Sequence, residues 1–189
     1  EGATYEEAND KMFERNYFGM MMVETGDADA FITGLYTKYS NTIKVAKEVI
    51  GIRPEYKHFG TMHILNSKKG TYFLADTLIN RHPDTSTLID IAKLADQTVR
   101  FELRDSKSPF TRLNGKDVNT LVFPNLSSAN AGYQLLQAMD PDTEFIGPIQ
   151  MGLNKPIHFT DIESSVRDIV NITAVAVIDA IVEKKKANK

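Results

Sequence analysis

The amino-acid sequence predicts an α/β fold, on three observations. Short apolar runs bounded by turn residues alternate with segments whose apolar residues recur at helical spacing, the pattern of strands and helices sharing one core. Two strand-like runs, residues 59–66 and 72–80, are joined by Ser67-Lys68-Lys69-Gly70, a hairpin connection with Gly where a positive φ is expected. The chain has 189 residues, 42% of them hydrophobic, which is enough to bury a core as one domain or two small lobes.

Thr4 and Glu7 have capping-box spacing, and Ala8, Met12 and Phe13 follow at helical intervals, so a first helix is expected over residues 5–15. Met20, Met21, Met22 and Val23 carry apolar content to Gly26 and read as core filling. Residues 30–35 read as a buried strand. Ile43, Ala46, Val49 and Ile50 give a helix ended by Gly51 and Pro54. After the hairpin, Asp84 or Thr85 caps a helix with Leu88, Ile91, Ala92, Ala95 and Val99 on one face. Residues 118–123 form a buried strand; Ser127 and Ser128 start a helix whose core stripe is Ala131, Leu135, Leu136 and Met139. Residues 146–151 are a further strand. The last helix, about residues 166–184, carries Val166, Ile169, Val170, Ala174, Val177, Ile178 and Ile181 on one face and Ile172, Val175 and Val182 elsewhere. Apolar nearly all round, it is expected in the interior or in a subunit interface. The lysines at its end complement the helix dipole.

Lys and Arg number 22 against 25 Asp and Glu, well mixed, for a net charge of −3. No long-range field favours nucleic acid or an anionic membrane. The longest apolar run, residues 172–182, is interrupted by Thr173 and Asp179 and falls short of the ~20 residues that span a bilayer. Cysteine is absent, which excludes thiolate chemistry and disulfides and makes the cytoplasm the default compartment. The opening Glu1-Gly2-Ala3-Thr4 has neither an initiator Met nor a signal pattern, so a fragment is expected. His58, His63, His82 and His158 have neither i, i+4 pairing nor neighbouring Cys, and no zinc site is expected. Asp27 and Asp29 lack a third ligand nearby and read as turn or cap residues. With no Walker loop and no GxGxxG, nicotinamide chemistry does not reside in this chain.

Four stretches carry a resemblance: GDADAFITGL (residues 26–35), FPNLSSANAGYQLLQ (123–137), IGPIQMGLNKP (146–156) and PIHFTDIESSVRDIVN (156–171). Together they resemble a phosphate acetyltransferase/butyryltransferase domain, in the form fused to the C-terminus of NADP-dependent malic enzymes. The resemblance implies two three-layer α/β lobes of the isocitrate/isopropylmalate dehydrogenase-like kind. Both termini would lie in one lobe, the hairpin in the other, and the ligand in the cleft between them. It covers nearly all of the chain but only part of such a domain. At Arg100-Phe101-Glu102-Leu103-Arg104-Asp105 a βαβ-sized unit of roughly thirty residues or more is missing relative to the family pattern.

In active phosphate acetyltransferases the segment matching Asp161-Ile162-Glu163 reads Ser-Arg-Gly, the Arg holding phosphate and the Ser lying at the reacting carbonyl. A carboxylate and an aliphatic there reverse the electrostatics. Asp168 matches the family's catalytic Asp, yet Ser165-x-x-Asp168 is also capping-box spacing. Lys44 stands where the family usually has an Arg followed by Pro, and supplies a point charge without the bidentate fork. The fused copies are sensors of acetyl-CoA, not transferases. On that resemblance the expected contacts are Thr42 and Lys44 at one helix start, Asn125, Ser127, Ser128 and Asn130 at another, Gln150 and Gly152 at a strand end, and Ser164, Ser165 and Asp168 beside the same cleft. Ser and Asn are also ordinary helix caps. No cofactor is expected in the chain itself. Acetyl-CoA is the expected effector, a homo-oligomer the expected assembly, and NADP with Mg or Mn would serve a linked domain that oxidatively decarboxylates malate to pyruvate. An active acetyltransferase and a purely structural oligomerisation module are the rival readings.

Overall fold

A computed structural model describes residues 2–34, 36–99, 120–140 and 142–187. Its helices are α1 (Tyr5–Met12), α2 (Arg15–Thr25), α3 (Tyr39–Val49), α4 (Thr85–Gln97), α5 (Leu126–Met139) and α6 (Val166–Ala187). Its strands are β1 (Phe31–Thr33), β2 (Gly60–Ser67), β3 (Gly70–Ala75), β4 (Thr120–Val122), β5 (Glu144–Met151) and β6 (Ile157–Phe159). Two sheets result. One has strand order β4-β3-β2-β5; the other is the parallel pair β1-β6. In the larger sheet β2 is antiparallel to β3 and β5 while β3 is parallel to β4, so the fold is α/β with a mixed sheet.

The larger sheet packs on α4 and α6 through Met62, Ile64, Phe73, Ile91, Leu94, Ile149 and Ile172. A second core joins α2, α3, β1 and β6 through Met20, Val45, Ala46, Ile157 and Phe159, with Phe59 and Leu153 closing it. A third, smaller cluster holds α5 to the sheet through Leu65, Leu74, Phe123 and Ala129. Deleting a fully enclosed side chain such as Leu94 to Ala costs about 2–5 kcal/mol at sites of this kind.

Local chemistry sets several boundaries as the sequence predicts. Thr4 and Glu7 form the reciprocal capping box of α1. The hairpin pairs Ser67 with Gly70, whose φ is +148°, and Gly51 follows α3 at φ +75°. Asp84, not Thr85, is the N-cap of α4, its carboxylate accepting from Thr87 N–H at 2.7 Å.

Other elements differ. The single helix expected over residues 5–15 is two, because the Glu14 side chain accepts from Tyr17 N–H and starts α2 afresh. Strand β3 stops at Ala75, after which the Asp76 carboxylate gathers the amides of Thr61, Leu78 and Asn80 and turns the chain out of the sheet. Strand β6 was not anticipated. Helix α5 turns Ala129 and half-buried Tyr133 inward, and a Cβ on Gly132 would lie 2.9 Å from the Phe123 ring, so close contact falls on small residues. The expected stripe is therefore outward, with Leu135 60% and Met139 72% exposed. Helix α6 buries Ile172, Val175, Ala176, Asp179 and Ala180, leaving Val166 and Val170 exposed and Val177 53% exposed. The interior thus takes the face with small residues and one acid. The expected break between Arg100 and Asp105, and residues 118 and 119 of the expected fourth strand, lie outside the described residues.

Candidate functional site

The start of α5 is built as a cap. Asn125 Oδ1 accepts from Ser128 N–H at 2.9 Å, and Ser128 Oγ donates to the Asn125 carbonyl at 2.8 Å. Ser127 and Asn130 are exposed beside it. The start of α6 is a second cap. Ser165 N–H and Oγ donate to Asp168 Oδ2 at 2.8 and 2.7 Å, and Asp168 N–H returns to Ser165 Oγ at 3.2 Å. Asp168 therefore takes the capping role, with its second carboxylate oxygen left over. Ser164 Oγ accepts from Asp161 N–H at 2.9 Å.

The loop before α6 carries no cation at its tip. Asp161 Oδ1 accepts from Glu163 N–H at 2.6 Å, and Ile162 is 80% exposed. Arg167, one turn into α6, is held 2.8 Å from Glu144. This arrangement presents carboxylates and an aliphatic group at the loop tip.

Tyr133, on α5, feels the charge of Asp168 at the α6 start. Burial raises its phenol pKa, and the charge on Asp168 adds to the rise. Its ring packs 4.9 Å from His63 and 4.8 Å from Phe145. His63 Nδ1 lies 2.9 Å from Thr77 Oγ1, which meets Thr61 Oγ1 at 3.0 Å, which in turn donates to Asp76 at 2.7 Å. Burial pushes the His63 pKa down to about 4, against the opposing charge of Asp76, so the imidazole is neutral at pH 7.

The remaining predicted residues fall elsewhere. Helix α3 starts at Tyr39, placing Thr42 in its first turn, buried, with its hydroxyl 3.0 Å from Thr37 Oγ1. Lys44 is exposed and 3.8 Å from Glu48. Gln150 points inward: Nε2 donates to Tyr39 Oη at 2.9 Å, and its backbone N–H to His158 Nδ1 at 3.3 Å. Gly152 has φ +91° and an added Cβ would sit 2.9 Å from Leu94 Cδ1, so it serves close packing. Among the described residues the charge of Asp168 at the α6 start acts on Tyr133 of α5, while no hydrogen bond or ion pair links the two caps to Thr42, Lys44 or Gln150.

His158 and Asp179 escaped the sequence reading. His158 Nε2 lies 2.8 Å from Asp179 Oδ2, both buried. The available signal was an acid among Ala176, Val177, Ile178 and Ala180, where an unpaired carboxylate would be costly. Asp27 accepts from Thr25 Oγ1 at 2.7 Å in the turn after α2, as expected, whereas Asp29, expected in a turn or cap role, pairs with Lys184 at 2.8 Å. Among the described residues no group of three His, Asp or Glu side chains is placed to hold a metal ion, and no helix is long and apolar enough to cross a membrane.

The phosphate acetyl/butaryl transferase family matches residues 1–102 and 94–177, and the chain belongs to that family. It is 28% identical to the NADP-dependent malic enzyme of Escherichia coli (strain K12) over 95% of this chain and 31% of the relative. It is 24% identical to the phosphate acetyltransferase of Bacillus subtilis (strain 168) over 95% of this chain and 72% of the relative. A phosphotransacetylase structure from Streptococcus pyogenes superposes with a TM-score of 0.80 at 26% identity, covering 95% of this chain and 71% of that one. The chain thus spans about a third of the malic enzymes it matches.

Proposed function

We propose that this chain is a regulatory domain that binds acetyl-CoA and self-associates, within a protein of the NADP-dependent malic enzyme kind. The observation that carries the reading is the Thr160–Ser165 loop, whose tip presents Asp161 and exposed Ile162 and no cation, where the family resemblance implies a Ser and an Arg in active transferases. Binding needs less than transfer does. Exposed Ser127 and Asn130 at the α5 start, and Ser164 and Ser165 at the α6 start, offer hydroxyl, amide and N-terminal backbone groups to phosphates and pantetheine, with Lys44 as a separate cation.

The likeness to malic enzymes over most of this chain supports placing the catalytic chemistry, malate oxidation with NADP and a divalent metal, in another part of such a protein. The cytoplasm follows as its compartment. The two sheets correspond in our reading to two three-layer lobes of the isocitrate/isopropylmalate dehydrogenase-like kind. Alignments to relatives run over 233 residues, more than the chain contains, and the family match falls in two pieces that meet near residue 100, which supports a missing unit there. The exposed valines of α6 supply the face for self-association.

An active phosphate acetyltransferase is the second reading, favoured by the likeness to phosphate acetyltransferases over most of their length and by the charge of Asp168 acting on the Tyr133 phenol. The two are separated by following CoA release from acetyl-CoA with and without phosphate. Our reading expects no phosphate-dependent release; release well above the buffer rate establishes the transferase.

A further inference from the structure

We propose that one water molecule is bound between Gln150 Oε1 and Asp179 Oδ1, closing a hydrogen-bonded ring that ties β5, β6 and α6 together where the two sheets meet. Both atoms are fully buried and have no hydrogen-bond partner among the described residues. Both side chains line the same small cavity, about 10 Å³ in volume, walled otherwise by Arg53, Lys155, His158 and Glu183.

Two hydrogen bonds of the ring are already made. Gln150 N–H donates to His158 Nδ1 at 3.3 Å, so the ring proton of His158 sits on Nε2 and is donated to Asp179 Oδ2 at 2.8 Å. The imidazole in this tautomer is neutral and has no proton left for Asp179 Oδ1. The Gln150 amide nitrogen is committed to Tyr39 Oη at 2.9 Å, which leaves Oε1 as the atom of that amide without a partner. Two acceptors facing one space need a donor with two protons, and a buried acceptor left unmet costs roughly 1–3 kcal/mol.

Water fits both the count and the size, since a buried water takes about 10–15 Å³ and two to four polar partners. A metal cation suits the site poorly. Hard cations such as calcium gather about six to eight oxygens, and here the acceptors Gln150, Asp179 and Glu183 share the wall with the cations Arg53 and Lys155, Glu183 being paired with Arg53 and Lys186. Arg53 is occupied, donating to the Leu153 carbonyl at 3.1 Å and pairing with Glu183 at 3.3 Å. The ring joins β5 of the four-stranded sheet to β6 of the two-stranded sheet, with α6 as the third corner and Tyr39 of α3 attached. It stands independently of acetyl-CoA binding.

The test is a crystal structure of the protein at a resolution that orders solvent, from crystals grown in sodium chloride and soaked in rubidium chloride. The expected result is one peak within about 2.6–3.2 Å of both oxygens in either salt, with no anomalous signal at that place. Four outcomes overturn the proposal: a rubidium signal at the peak, Lys155 Nζ inserted onto Asp179, a Gln150 amide turned so that its nitrogen bonds Asp179 directly, or two oxygens with no peak between them.

Discussion

The imidazole of His158, on β6, donates to the carboxylate of Asp179, on α6, at 2.8 Å, while its other nitrogen accepts the amide of Gln150 on β5. One side chain thereby links three elements. Asp179→Ala leaves a buried N–H without an acceptor and is expected to destabilise the protein by about 1–3 kcal/mol. Asp179→Asn keeps an acceptor and should cost less. Urea midpoints at unchanged m-value give both numbers, and equal losses would show that the hydrogen bond is not the source.

His63 makes stability depend on pH. Its folded-state pKa is depressed to about 4 from an ordinary 6.5, burial being the main cause, so the unfolded chain binds a proton in that window that the folded chain refuses. Stability must then fall as pH drops from 6.5 toward 4, by on the order of 3 kcal/mol if the whole shift is expressed. His63→Gln should flatten this part of the profile. An unchanged slope in that variant would place the dependence on another group.

Asn125 is a helix cap before it is anything else. Asn125→Ala should cost about 1 kcal/mol of stability, and Asn125→Ser should recover most of it. Asn130 makes no such bond, so Asn130→Ala should leave stability unchanged and weaken acetyl-CoA binding by roughly 0.5–1.5 kcal/mol, the worth of one hydrogen bond. Thermal melts beside binding titrations separate the two effects.

Val177 is half exposed, in contrast to the burial its place in the apolar stripe suggests. Val177→Asp is therefore expected to lower the association state while the monomer keeps its fold. Light scattering with circular dichroism would show this. Unchanged association would remove α6 from the interface.

What the sequence disclosed and what it withheld differ for physical reasons. Elements fixed by local chemistry were legible: the Thr4–Glu7 box, the Ser67–Gly70 turn, Gly51 after α3. Strand β6 was not, because three residues are too few to show a period and its place is set by pairing with β1 far away in sequence. The faces of α5 and α6 were misread because tertiary packing chose Ala129 and Gly132 against Phe123, and Ala176 and Ala180 in the core, over bulkier stripes. At the site, Ser165 and Asp168 could be read as cap or as ligand, and the geometry shows the cap. Gln150 looked like a cleft residue from its place near the end of a strand, but the pleat turns it toward Tyr39.

The claim that this domain binds acetyl-CoA without turning it over is tested most directly by calorimetric titration of the whole protein with acetyl-CoA, for wild type and Lys44→Ala, at low and high salt. The account predicts saturable binding by wild type and weaker binding by the variant. It also predicts that the difference shrinks as salt screens the exposed ammonium. No saturable heat in wild type, or identical isotherms for the two proteins at low salt, would contradict it.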